Sequence, residues 1–285
     1  MYAATYLANN INTEWSTTFT TFNSAVLLIV ANLIWQYFCG SGHHPFNDPD
    51  VRAFIITLVL EFIAVLAGLL LGFHYGIYLC VLGGLIGFLM PLLVYRQFIP
   101  NHVNFPHLVE RLSLIIIIIY FGEALVNVTQ YFTRSLFRPL PLMIFVLLAS
   151  LFGLYLVQSD RLINHHQHTR GFVLMYSRVF MVVAILSLTA GLDYLAAPTV
   201  NRTALWLLLT ASVLTYNVCV FANGVYNHKQ YRMSITTWGW LLLLIISGAA
   251  ISFIFRAQTP GILSGLVLAS VGEVSYFLGR FVYHQ

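Results

Sequence analysis

The 285-residue chain is 59% hydrophobic and only 8% charged, whereas soluble domains carry about 25% charged residues. Its formal net charge of +4 is small, which argues against nucleic-acid binding and fits a modest excess of basic residues on one side of a membrane. The composition therefore predicts an integral membrane protein whose main partner is the lipid bilayer.

Apolar segments long enough to cross a bilayer, about 20 residues each, recur along the whole chain. They lack the two-residue alternation of transmembrane strands, so we predict an all-α, polytopic helical bundle. The connections are short, and residues 1–285 are predicted to form a single transmembrane domain. The nine predicted helices cover residues 17–39, 51–73, 75–95, 109–132, 139–159, 171–192, 203–225, 233–256 and 260–282.

Basic residues set the predicted orientation of this bundle. They are more frequent after the first, third, fifth and seventh helices and at the C-terminus than on the opposite side. Because cytoplasmic loops of membrane proteins are enriched in Lys and Arg, we expect a cytoplasmic C-terminus.

Ionisable side chains lie inside four of the predicted helices: Glu61 in the second, Glu123 in the fourth, Arg178 in the sixth and Glu273 in the ninth. At a rise of about 1.5 Å per residue, the three glutamates fall near the middle of a hydrocarbon core about 30 Å thick. A charge at that depth costs about 2.5 kcal/mol or more, so each side chain should face a partner or a cavity rather than lipid.

Two interpretations of these residues stay open. In the first, Arg178 pairs with one glutamate and the others are neutral and hydrogen-bonded, which makes a structural staple. In the second, Glu61, Glu123 and Glu273 form a mid-membrane path or site for a proton, a cation or a polar ligand, with Arg178 as internal counter-charge. One arginine cannot neutralise three carboxylates, so at least one glutamate should be protonated or face water or a cation.

A polar cluster opens the fourth predicted helix. His107, Glu110 and Arg111 share one helical face because they are spaced three and four residues apart. An acid at a helix N-terminus is favoured by the helix dipole, so a capping and interfacial anchor is one interpretation, and a gate at the end of a path is another. Gly122 lies about three turns later, nearly in line with Arg111, and leaves room for a neighbouring helix or a ligand.

Familiar catalytic and metal-binding motifs do not occur in the sequence. The three cysteines lie in apolar segments without a CxxC pair, and the histidines of "GHHPFNDPD" and "NHHQHT" have no diagnostic spacing. There is no P-loop, no Gly-x-Ser-x-Gly elbow and no HExxH. We therefore predict no metal site and no cofactor, and leave open whether the protein is an enzyme.

Two stretches resemble the bacterial low temperature requirement A (LtrA) family. The first is "HLVERLSLIIIIIYFGEALVNV", residues 107–128, in which His-x-x-Glu-Arg opens a helix that ends in Gly-Glu. The second is "LIWQYFCGSGHHPFNDPDVRAFIITLVLEFIAVLAGLL", residues 33–70. By this resemblance the family's motif positions are Asp50, Arg52, His107, Glu110, Arg111, Gly122 and Glu123.

The resemblance has two departures. Leu112 and Ser113 stand where family members have Phe-Gly, and the family's acidic first-helix motif, Glu-Leu-Phe-Phe-Asp, is absent. The segment "MYAATYLANNIN" looks like the tail of that helix, so we expect an N-terminally short member. The family implies a bacterial multi-pass plasma-membrane protein tied to growth at low temperature, and it implies no substrate.

Three functions are compatible with these patterns. The leading hypothesis is transport or conduction of a proton, a cation or a small solute along the mid-membrane glutamates. A membrane-embedded enzyme or a lipid- or quinone-binding protein would use the same carboxylates as acid and base groups. The third hypothesis is a non-catalytic membrane factor for low-temperature growth.

Overall fold

The computed structural model of the protein describes residues 15–40, 48–94, 104–119, 139–196 and 200–283, together with positions 122 and 126. Within these residues the regular structure is helical, apart from an isolated antiparallel bridge between Ile163 and Asn227. The prediction of an all-α fold is confirmed.

Seven helices of the described residues are long and apolar enough to cross a membrane, with mean hydropathies from 1.5 to 2.7. Large apolar side chains cover much of their outer surface; Leu70 is 81% exposed and Ile235 is 91% exposed. Such a surface is stable in lipid, where the helices satisfy their own backbone hydrogen bonds. The predicted count of nine membrane helices is not confirmed.

Packing divides the chain into two compact units, residues 1–100 and 101–285, and each is described by itself. The single transmembrane domain stays a prediction. The first unit contains α1 (Trp15–Gly40) and α2 (Pro49–Leu93). The side chain of Asp48 caps α2 by accepting a 2.9 Å hydrogen bond from the backbone N–H of Asp50, and Pro49 occupies the first turn.

Helix α2 is 45 residues long and is broken at Gly72, whose φ of 73° and ψ of 179° are almost exclusive to glycine. Its two arms pack against each other. The Cys80 thiol donates to the Val65 carbonyl oxygen at 3.8 Å, and a Cβ on Gly76 would overlap the backbone of Gly68. The break lies at the end of the predicted helix 51–73 and just before the predicted helix 75–95.

The second unit begins with α3 (Phe105–Ile119) and continues with five long helices: α4 (Pro139–Leu156), α5 (Phe172–Asp193), α6 (Arg202–Ala222), α7 (Ile235–Ile254) and α8 (Thr259–Leu278). The side chains of Asn201 and Ser234 cap α6 and α7. Helices α4 and α8 continue into π-helical turns, Val157–Leu162 and Gly279–Tyr283.

Apolar side chains from α4, α5, α6 and α8 fill the core of the second unit, among them Leu147, Leu151, Leu188, Leu209 and Phe277. Helices α7 and α8 approach each other closely at Gly248 and Gly265. A Cβ added to Gly248 would lie only 2.6 Å from the Gly265 carbonyl oxygen. Small residues at such a crossing let two backbones touch. Polar side chains are also buried in the described part of this unit, and two of them, Arg178 and Glu273, are normally charged.

Candidate functional site

Glu273 is a fully buried carboxylate in the C-terminal half of α8, with 0% of the residue exposed. Its partner is Asn217 of α6, which is also 0% exposed. The Asn217 side-chain amide donates to both carboxylate oxygens, at 3.0 Å to Oε1 and 2.8 Å to Oε2. The pair therefore links two helices through a polar contact inside an apolar bundle.

Two oxygens, one within this pair and one on a neighbouring residue, are buried and have no hydrogen-bond partner among the described residues. They are Asn217 Oδ1 and the hydroxyl oxygen of Ser270, which lies one helical turn before Glu273 on α8. A bare carboxylate can only accept hydrogen bonds, whereas a protonated one also has an O–H to donate. The oxygens of Glu273, Asn217 and Ser270 are thus suited to a proton on the carboxyl group or to a small hard cation.

Arg178 lies on α5, is 3% exposed and has no carboxylate partner among residues 104–119, 139–196 and 200–283. Its guanidinium donates to Ser159 Oγ at 3.4 Å and to Met181 Sδ at 3.6 Å. It also lies over the ring of Tyr155, with Cζ 4.5 Å from the ring centre. Glu273 is therefore partnered by Asn217, not by Arg178, contrary to the pairing that the sequence suggested.

Glu61 lies in the first arm of α2 and is partly exposed. Its carboxylate touches Gly87 of the second arm, where a Cβ would overlap it. Glycine at position 87 thus makes room for the Glu61 side chain between the two arms.

The polar cluster of His107, Glu110 and Arg111 lies on the surface of the second unit. His107 Nδ1 is 3.4 Å from Glu110 Oε2, and their side chains are 69% and 65% exposed. The Asn104 side chain accepts from the His107 backbone N–H at 3.4 Å, and Arg111 is exposed. These contacts fit a capping cluster at the start of α3.

Residues 1–272 match the sequence model of a family described as "Bacterial low temperature requirement A protein (LtrA)". The chain belongs to the LtrA family. No curated protein and no solved structure matched it.

LtrA membership confirms the resemblance carried by residues 33–70 and 107–128. Together with the long apolar helices, it makes this a multi-pass membrane protein tied by its family to low-temperature requirement. Asn217 lies within the matched residues, and Glu273 follows them directly.

The described LtrA motif positions are divided between the two units. Asp50 lies in the first turn of α2 and Arg52 is exposed on the same helix, whereas His107, Glu110 and Arg111 belong to the second unit. Gly122 is exposed. Glu123 lies outside the described residues.

Sequence reasoning missed Asn217, Ser270, Tyr155 and Ser159 because it sorted only ionisable residues by depth. Asn217 falls near the middle of the predicted helix 203–225, where an amide also needs a hydrogen-bonding partner. A search for every polar side chain at mid-membrane depth would have found it.

Proposed function

We propose that this LtrA-family protein moves a proton or a small cation across the membrane, with Glu273 as the mid-membrane binding group. One observation carries the proposal: a fully buried carboxylate is held by the Asn217 amide and has no basic partner in the described part of its unit. Transport of a small polar solute remains the broader form of the same hypothesis.

The energetics favour a carboxylate that is occupied by a proton or a cation. Removing an ionised carboxylate from water costs several kcal/mol in real proteins. A hydrogen bond to a charged group returns only about 1.5–3 kcal/mol, and Glu273 receives its bonds from one amide. Binding a proton or a cation removes most of the remaining penalty, and a proton that is bound and released at this depth can be passed on.

The surroundings of Glu273 support a small ligand over a large one. Glu273 and Asn217 are both 0% exposed, and the apolar core side chains Phe277 and Val213 belong to the same two helices. A polar pair enclosed by packed apolar side chains suits a proton or a bare cation.

The test is flux into liposomes that carry the purified full chain and enclose dyes sensitive to pH, Na⁺ or K⁺. Proton, Na⁺ and K⁺ gradients are imposed in turn on wild type and on Glu273→Gln. Gln keeps the size of the side chain and can still bond the Asn217 amide, but it carries neither an exchangeable carboxyl proton nor a charge. Asp193→Asn is the matched control because Asp193 is an exposed acid of the same unit and the change is likewise from acid to amide.

We expect Glu273→Gln to abolish the flux and Asp193→Asn to preserve it. Equal flux in wild type and Glu273→Gln would refute the role of Glu273. Absence of any flux in a correctly folded wild type would instead favour the structural-factor or membrane-enzyme hypothesis, with Glu273 and Asn217 as an internal polar staple.

A further inference from the structure

Arg178 presents a second and separate problem of buried charge. The residue is 3% exposed, and no carboxylate of the described residues 104–119, 139–196 and 200–283 lies in salt-bridge range of it. Removing one partner of a buried ion pair is costly because it leaves an uncompensated charge, and Arg178 is in that situation without any substitution.

The groups that touch the guanidinium compensate only part of its charge. The Tyr155 ring face attracts the cation, but Met181 Sδ is a weak acceptor and the bond to Ser159 Oγ is long at 3.4 Å. The Nε atom of Arg178 is buried and has no hydrogen-bond partner in the described part of the chain. The guanidinium therefore keeps hydrogen-bonding capacity that its protein neighbours leave unused.

A second unused donor lies beside it. The hydroxyl of Tyr155 is buried and has no hydrogen-bond partner among the residues that the structure describes, although its ring is in contact with Arg178. The Ser159 hydroxyl adds a third polar group, placed by its 2.9 Å bond to Ser113 of α3. Three polar groups from α4, its π-helical turn and α5 thus meet in one buried place.

We propose that Arg178, Tyr155 and Ser159 bind the oxyanion of a ligand, a carboxylate or a phosphate group. A planar guanidinium with free N–H groups matches the oxygens of such a group better than it matches a spherical ion, and the two hydroxyls supply further donors. The anion supplies the negative charge that the described residues around Arg178 lack.

The position of Arg178 would let an anion reach it from one end of the helical bundle. Arg178 is six residues after the start of α5, about 9 Å along the helix. The π-helical turn Val157–Leu162 and residues 163–171 lie at the same end, and His165 Nε2 is 3.1 Å from the Ser159 carbonyl oxygen. A dissolved anion and the headgroup of an anionic lipid share the chemistry that this site recognises.

Equilibrium binding to the full chain in nanodiscs separates these two sources. In nanodiscs of phosphatidylcholine, radiolabelled inorganic phosphate and radiolabelled acetate are titrated against wild type and Arg178→Lys. In nanodiscs that also contain phosphatidylglycerol, the lipids retained by the purified chain are counted by native mass spectrometry. Arg256→Lys is the matched control, because Arg256 also stacks on an aromatic ring, Phe253 at 4.0 Å, but is partly exposed.

We expect one bound anion per chain in wild type, affinity at least about tenfold weaker in Arg178→Lys, and no change in Arg256→Lys. Lysine keeps the charge but loses the planar fork. Retention of phosphatidylglycerol that depends on Arg178, without binding of the free anions, also supports the site and identifies a lipid as the source.

Tyr155→Phe keeps the test decisive if Arg178→Lys fails to fold. It removes only the unpaired hydroxyl and leaves the ring under the guanidinium, so the fold should persist while anion affinity falls several-fold. Binding that is equal in wild type, Arg178→Lys and Tyr155→Phe would overturn the proposal, and so would absence of both free-anion and lipid binding in wild type.

Discussion

Asn217 determines how the bundle accommodates the carboxylate of Glu273. Its amide is the only side-chain donor to that carboxylate among the described residues, and both side chains are completely enclosed. The described contacts of Arg178 are different. They are the ring face of Tyr155, the sulfur of Met181 and the hydroxyl of Ser159. The two buried charges of the second unit are therefore separate sites with separate tests.

Replacing Asn217 with Ala should destabilise the protein measurably. The substitution leaves the buried Glu273 carboxylate without a side-chain donor, which costs about 1–3 kcal/mol. Thermal or denaturant unfolding in detergent, followed by tryptophan fluorescence, measures the loss. The control is Thr215→Ala, an exposed position on the same helix, for which a change within about 0.5 kcal/mol is expected.

The double variant Asn217→Ala with Glu273→Ala then tests the pairing itself, because each substitution alone removes the contact that Gln at position 273 would keep. If the two side chains interact as described, their effects on the free energy of unfolding are non-additive by about 0.5–3 kcal/mol. Strict additivity of the two substitutions would mean that the Asn217–Glu273 contact contributes nothing to stability.

At the scale of elements, glycines decide how helices turn and touch. Gly72 divides a 45-residue apolar helix into two arms, and the contact of Gly68 with Gly76 holds the arms together. Gly87 makes space for Glu61, and Gly248 lets α7 approach α8 at Gly265. A long apolar run can therefore fold back on itself without a polar loop, and the break at Gly72 lies where the predicted helices 51–73 and 75–95 adjoin.

Gly72→Ala should destabilise the first unit by about 1–3 kcal/mol, because a side chain at a φ of 73° and a ψ of 179° is strained. Gly84→Ala is the matched control: Gly84 lies in the second arm of the same helix and has open space around its Cβ position. Alanine there should be neutral or stabilising by up to about 1 kcal/mol. Unfolding midpoints of the two variants compare these costs directly, and equal midpoints would contradict the break at Gly72.

At the scale of the whole molecule, the membrane orientation follows from the distribution of basic residues, and it stays a prediction. We expect a green fluorescent protein fused after Gln285 to fluoresce in a bacterial host, because this reporter folds in the cytoplasm. Alkaline phosphatase fused after Arg138, in the predicted outer loop that follows the fourth helix, should be active. An active phosphatase at the C-terminus would reverse the predicted topology.

Composition and local pattern alone determined that this is an all-α, multi-pass membrane protein of the LtrA family. They suffice because length, hydropathy and the motif around residues 107–128 are properties of contiguous segments. Most of the predicted helix ends in the second unit also lie close to the ends in the structure, since caps and prolines act within one turn.

Only the tertiary structure decided which buried groups meet. Asn217 and Glu273 are 56 residues apart, so no local pattern links them, and charge alone pointed instead to Arg178. The choice between an amide and a guanidinium as partner depends on which faces of α5, α6 and α8 turn inwards, and that is fixed by packing of the whole bundle. The same packing leaves Arg178 beside Tyr155 and Ser159 with no acid among the described residues of its unit, which is the feature that points to a bound anion.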